Sequence, residues 1–339
     1  MRYYLGLATT FHDPALALVG PDGTVLFAEA TERYLQYKRA PNCEPDSAPR
    51  MAGLLKAHLP PGAELVIATT WGPEFSRYLA DQAGTGAFGL DALKAHSPAL
   101  NRSLVPERAE RTFIAELALA QGRAGYGTLL GLDRAHGGRS TIAGLRRYPH
   151  HLTHAAYGLW GSPFRDATCL VVDGMGETGA SAIYRMEGGR LVEVKRHRGR
   201  ESVGFFFGLV TDLAGFDQAK GEEWKIMGLA PYGRPDPELM ALLRRLYRIE
   251  NGRLRFSDAA TVQAVADEIR ARRPAEADED GWADLSACGQ AIFSEMMDVL
   301  VAEAWRLSPH ENLVVTGGCA LNSSYNGRLL GRSEFRRLH

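Results

Sequence analysis

Three histidines fall within five residues of the segment Pro149-His150-His151-Leu152-Thr153-His154-Ala155. Proline is pre-organised for a helix start, so the segment predicts a helix beginning here. On that helix His150 and His154 lie one turn apart on one face, and two imidazoles at this spacing can chelate one divalent cation. His151 then lies about 100° round the axis, a place for a group that orients the site or faces a phosphate. Three surface or capping histidines are the alternative reading. Asp173 closes an apolar run, Ala167–Asp173 (ATCLVVD), and heads Gly174-Met175-Gly176-Glu177. A carboxylate at a strand's carboxyl end suits a metal ligand or phosphate site, and Gly174 and Gly176 let backbone N–H groups approach an anion. An ordinary hairpin turn would carry the same string.

Other segments offer anion-binding chemistry. Thr316-Gly317-Gly318-Cys319-Ala320-Leu321-Asn322 follows a second apolar run, Asn312–Thr316. Strand, glycine pair and helix start make a phosphate-approach loop or simply a tight turn. Lys225, within Lys220–Gly233 (KGEEWKIMGLAPYG), can contact phosphate or stand as a solvated lysine. His12-Asp13 sit in the first turn of the chain, where either can touch a ligand, although Asp13-Pro14 also makes a good turn by itself.

These residues need a scaffold. Tyr3–Ala8, Ala15–Val19 and Thr24–Ala30 read as three strands separated by His12-Asp13-Pro14 and Pro21-Asp22-Gly23. Ala167–Asp173, Gly179–Arg185 and Arg190–Arg196 repeat that meander. Glu64–Thr70 and Asn312–Thr316 add a buried strand to each copy. Residues 74–125 carry helical spacing, notably Arg108–Ala120, and Leu285–Leu307 is a long amphipathic helix. The Gly- and Arg-rich stretch Gly125–Ser140 reads as a loop or linker. The expectation is a duplicated α/β architecture with lobes at 1–140 and 141–339.

Composition removes other classes. Lysines and arginines number 39 against 40 aspartates and glutamates, which gives no bulk argument for a nucleic-acid or membrane-surface partner. No apolar run approaches the ~18–20 residues of a membrane span; the longest candidate, Val203–Val210, is far too short. Cys43, Cys169, Cys288 and Cys319 form no CxxC pair and read as buried free thiols, in keeping with a reducing cytoplasm.

In order along the chain, GLATTFHDPALALV, EATERYLQYKRA, HHLTHA, VVDGMGE, EEWKIMGLAPYG and TGGCALN resemble the carbamoyltransferase family. This is the family of the antibiotic O-carbamoyltransferases and the nodulation-factor carbamoyltransferase. Its larger domain is similar to the catalytic subunit of tRNA threonylcarbamoyl transferase. The resemblance implies the duplicated actin/sugar-kinase/Hsp70-like fold, two lobes with a cleft between them. It implies His150, His154 and Asp173 as ligands of a divalent metal, usually iron (Fe2+), and places Gly317-Gly318 on the phosphate side of a nucleotide. Lys38 falls in the stretch Glu32-Arg33…Lys38 that matches a family segment, with Thr31 where the family often has Glu. The implied reaction forms carbamoyl-adenylate from carbamoyl phosphate and ATP, then passes the carbamoyl group to a hydroxyl of a small-molecule natural product. For the proton acceptor in that transfer, His12, Asp13 and His151 are the candidates.

The alternatives are a tRNA threonylcarbamoyl transferase-like enzyme and a non-catalytic nucleotide-binding domain of the same fold. GLAPYG and EATERY favour the small-molecule reaction, and no basic stripe suited to tRNA stands out. The family's further GDxG-type turn, with another metal-ligand aspartate, and its YrdC-like adenylating domain have no counterpart up to His339. The expectation is a truncated form, with a split gene and partner chain or a degenerate protein as alternatives, unable alone to make carbamoyl-adenylate.

Overall fold

Along Arg2–Ala8 (β1) apolar residues alternate, and Tyr3, Leu5 and Leu7 turn into a core while their neighbours face outward. The computed structural model describes residues 1–10, 12–75, 117, 119–198, 201–250, 253–272 and 282–339. β1 pairs antiparallel with Ala15–Val19 (β2), which pairs antiparallel with Val25–Ala30 (β3). On its other edge β1 pairs parallel with Glu64–Thr70 (β4), and β4 pairs parallel with Thr141–Tyr148 (β5). The sheet order is therefore β3-β2-β1-β4-β5.

Thr31–Leu35 (α1) and Ala48–His58 (α2) follow the meander, and Tyr126–His136 (α3) packs on α2. The stretch read as a linker thus contains a helix. Its glycines are contact points rather than breakers: a Cβ on Gly127 would stand 1.6 Å from the Asp46 carbonyl oxygen, and one on Gly131 2.5 Å from Met51 Cβ. Asp46 Oδ2 also accepts from the amide and hydroxyl of Thr128, at 2.9 and 2.7 Å. The Arg108–Ala120 helix lies almost wholly outside the described residues. Leu16, Leu18, Met51, Leu55, Leu65 and Leu132 join β1 in one core.

The second half repeats the pattern. Ala167–Val172 (β6), Ser181–Glu187 (β7) and Arg190–Arg196 (β8) form an antiparallel meander. Asn312–Thr316 (β11) pairs parallel with β6, and Arg337–Leu338 (β12) pairs parallel with β11. The order β12-β11-β6-β7-β8 matches the first sheet strand for strand. This is the duplicated actin/sugar-kinase/Hsp70-like arrangement. A separate hairpin joins Tyr247–Glu250 (β9) to Arg253–Phe256 (β10).

Every residue of β6 is buried because helices cover both faces of its sheet. His150–Gly161 (α4) lies on one face, with Ala155 and Leu159 against Cys169, Val171 and Val314. On the other face, Val203–Leu213 (α5) and Ala283–Leu307 (α9) share a core with Leu170, Val172 and Leu313. That core also receives residues of Pro237–Arg244 (α7), Ala259–Ala271 (α8) and Ser323–Leu329 (α10). Glu223–Leu229 (α6) contributes Ile226. Contrary to the expectation that no apolar run approaches a span's length, α9, alone among the described residues, is long and apolar enough to cross a membrane by length and composition. Its Leu285, Ile292, Phe293, Met296 and Leu300 are core residues instead. Cys169, Cys288 and Cys319 are buried free thiols, as expected; Cys43 is only half-buried.

The described residues through His150 belong to one compact unit and those from His151 onward to another. The division falls ten residues later than the expected 140/141, since β5 pairs with β4 in the first sheet.

Candidate metal centre

Proline stops any helix from extending back through residue 149, so α4 begins at His150. One helical turn fixes His150 relative to His154. The helix is held close to the sheet at Gly158, where a Cβ would stand 2.9 Å from Val314 Cγ1. Across from α4, Asp173 follows the last residue of β6, and its amide continues the ladder to the Ala180 carbonyl at 2.8 Å. One nitrogen from each of His150 and His154 and a carboxylate oxygen of Asp173 lie within 4.8 Å of one another. His154 Nε2 is 3.3 Å from Asp173 Oδ2.

The glycine loops act on Asp173. Its Oδ1 accepts from the amides of Gly174 (2.8 Å) and Gly318 (3.2 Å), which turns Oδ2 to His154. Gly317, at φ +95°, passes so near β6 that a Cβ would meet the Val172 carbonyl oxygen at 2.3 Å. Ser202 Oγ donates to the Gly174 carbonyl at 2.7 Å and accepts from the Phe205 amide at 3.0 Å, tying this turn to the start of α5. The Cys319 thiol is pushed up by burial, and then by the negative charges of Asp173 and Glu223.

Other expected residues have different surroundings. His151 is buried at 2% exposure beneath the turn of Gly176, whose Cβ would come 2.7 Å from its ring. Gly176 N–H donates to the Gly179 carbonyl at 2.6 Å. Asn322 caps α10 by accepting from the Tyr325 amide at 3.0 Å, and its amide group pairs with Gln290 at 2.9 and 3.2 Å. Lys225 pairs with Glu222 Oε1 at 3.0 Å and lies over the Phe216 ring. Lys38 is exposed in the turn after α1.

In the first unit, His12 Nδ1 lies 2.7 Å from Asp13 Oδ2, which also accepts from Arg39 Nε at 3.1 Å. Asp13 takes a left-handed φ of +51°, and its amide donates to the Arg39 carbonyl at 2.7 Å. Burial works against ionisation of Asp13, yet His12 and Arg39 outweigh it and hold the carboxyl below its usual range.

Trp71 was not legible as a site residue. It is 1% exposed, and its ring stacks on that of His150 with centroids 4.4 Å apart and planes 9° from parallel. Its φ of +67° is unusual for a bulky residue. The only local hint is a Trp-Gly pair directly after the buried strand β4. Ser202 carried a clearer signal, a serine immediately before the apolar run of α5.

The donor set suits a cation. Ligands bound at roughly 2.0–2.2 Å to one ion lie about 3–4 Å from each other, close to the spacing of these three, whose donor atoms all lie within 4.8 Å. Two imidazoles and a carboxylate accommodate Fe, Zn, Mn or Co.

The description "Carbamoyltransferase N-terminus" matches residues 101–339. The uncharacterized protein sll1178 of Synechocystis sp. is 26% identical over 350 aligned residues, covering 100% of this chain and 54% of that protein. The nodulation protein NolNO of Sinorhizobium fredii is 26% identical over 188 residues, 55% of this chain and 27% of its own length. The chain thus spans about half the length of the first of these relatives and less of the second. Among solved structures, full-length HypF in its phosphate- and nucleotide-bound form aligns with 99% of this chain and 52% of its own, at 11% identity and a TM-score of 0.43.

Proposed function

The chain belongs to the carbamoyltransferase family, and from that premise we propose that it carries the transfer step of an O-carbamoylation. The donor is carbamoyl-adenylate, made from carbamoyl phosphate and ATP, and the acceptor is a hydroxyl of a small natural product. The acceptor oxygen bonds to the carbamoyl carbon, the bond from that carbon to the AMP phosphate oxygen breaks, and AMP leaves with the electron pair. The hydroxyl proton passes to a base.

The observation that carries this reading is the convergence of His150, His154 and Asp173. These three residues would hold the metal, ferrous iron by family expectation. A divalent ion there supplies Lewis acidity toward a carbonyl or hydroxyl oxygen. The amides of Gly174 and Gly318 orient the Asp173 carboxylate. For the base we favour His12 over His151. The Asp13 carboxylate at its Nδ1 orients the imidazole and fixes its tautomer. His151, at 2% exposure, serves packing under the Gly176 turn. A YrdC-like domain or partner chain supplies the carbamoyl-adenylate, and the setting is cytoplasmic.

The test adds a separately produced YrdC-like protein, carbamoyl phosphate, ATP and ferrous ion to the chain and follows AMP release and carbamate formation on hydroxylated acceptors. We expect AMP release that depends on the chain and falls at least tenfold in His154→Ala and Asp173→Ala. Equal release from these variants would contradict the proposal.

A further inference from the structure

A cavity of about 240 Å³ lies in the second unit, away from His154 and Asp173 as lining residues. The ends of β6, β7 and β8 form one side of it, and β10, the approach to α5 and α9 form the rest. Val172, Val203, Leu254 and Leu300 are its apolar lining. Its charge is lopsided. Lys195, Arg196, Arg198, Arg253 and Arg255 line it, against only Glu201 and Glu303.

Both carboxylates are already committed. Glu303 is 7% exposed; one of its oxygens is bonded by Lys195 Nζ and the other lies 2.5 Å from His197 Nε2. His197 Nδ1 in turn lies 2.8 Å from Ser181 Oγ, so this wall is a closed polar network. Glu201 accepts from Arg255 at 2.9 Å, and Arg196 pairs with Glu193, which does not line the cavity. Arg198 and Arg253 also line it, are exposed, and have no carboxylate partner among the described residues.

Apolar side chains and two guanidiniums without a carboxylate partner among the described residues, lining one cavity, match an amphipathic anion. Guanidinium pairs recognise phosphate and carboxylate through planar, charge-assisted hydrogen bonds. A few polar groups over an apolar lining is the usual construction of a small-molecule site. We propose that this cavity binds a small organic anion, with its apolar body against Val172, Leu254 and Leu300 and a terminal phosphate or carboxylate on Arg198 and Arg253. The site is independent of the transfer reading. Nevertheless Val172 directly precedes Asp173, so its occupant would press on the strand that carries a candidate metal ligand.

Ligand-observed NMR titrations of the full chain at fixed ionic strength test the proposal, with phenyl phosphate and benzoate as the two anion types. Inorganic phosphate and benzyl alcohol serve as controls for charge alone and for the apolar body alone. We expect saturable binding of at least one aryl anion, at least tenfold tighter than either control and at least tenfold weaker in R198A/R253A. Both arginines are exposed, and the double variant's unfolding curve should overlay that of the parent. The relative affinity of phenyl phosphate and benzoate identifies the anionic group. Absence of saturable binding by both, undiminished binding in the double variant, or inorganic phosphate binding as tightly as phenyl phosphate would overturn the site.

Discussion

The imidazole of His150 lies flat on the indole of Trp71, with ring centroids 4.4 Å apart and planes 9° from parallel. A buried tryptophan with only two side-chain torsions is a rigid wall, and His150 gains a fixed ring plane from it. Trp71 itself is held at a φ of +67°, a conformation that costs a bulky residue about 1–3 kcal/mol. Phe75, tilted against the indole at 4.9 Å, packs it from another side.

Removing this wall should loosen the metal centre. Trp71→Ala is expected to weaken metal binding by roughly 10-fold or more, the scale seen when groups that orient a ligand are lost. Trp71→Phe, which keeps an aromatic face, should retain most of the affinity. Cobalt(II) titrations followed by visible absorption, with circular dichroism to check folding, read the difference. Parent-like affinity in the alanine variant would remove Trp71 from the site.

Gly317 makes a sharper claim about backbone. Alanine there meets both a left-handed φ and the Val172 carbonyl oxygen at 2.3 Å. The conformation alone costs about 1–3 kcal/mol, and the contact adds to it, so urea unfolding of Gly317→Ala should show a clear loss. Gly327, within α10, has nothing within 4 Å of its notional Cβ. Gly327→Ala should be neutral or stabilising by up to ~1 kcal/mol.

Glu303 predicts an acid-limb signature. Burial opposes its ionisation, but hydrogen bonds from His197 and Lys195 prevail and hold the carboxyl down at about 2. A carboxylate depressed on folding contributes stability that is complete above its unfolded value, near 4.5, and is lost as pH falls toward the folded value. The parent should therefore lose stability between about pH 4.5 and 2. Glu303→Gln should be less stable at neutral pH, where Lys195 has lost its counter-charge, with a smaller further loss in that acid window. Unfolding midpoints measured across the range would show it; parallel curves for the two proteins would contradict it.

The parts of the fold legible in sequence were those with local punctuation. Pro21-Asp22-Gly23 separates β2 from β3, and the apolar run of β6 stops at Asp173. The closeness of His150 and His154 was legible because the two sit one helical turn apart. The α3 helix was hidden by Gly127 and Gly131, which resemble breakers until their contacts with Asp46 and Met51 are seen. β5 is mostly exposed and carries no strong alternation, so only its pairing with β4 reveals it. Trp71 meets His150 through tertiary packing that no local pattern encodes. The cap that Asn322 makes at the start of α10 was hidden for a related reason: a ligand amide and a capping amide look alike in sequence.

His150, His154 and Asp173 bring three donor atoms within 4.8 Å of one another, and the proposed transfer needs them to hold one cation. Anaerobic titration of the apo chain with ferrous ion, followed by elemental analysis after gel filtration, tests it most directly against His150→Ala, His154→Ala and Asp173→Asn. A single retained ion per chain is expected in the parent and its loss, or at least about 10-fold weaker binding, in each variant. Retention of the ion at parent affinity by all three variants would contradict it.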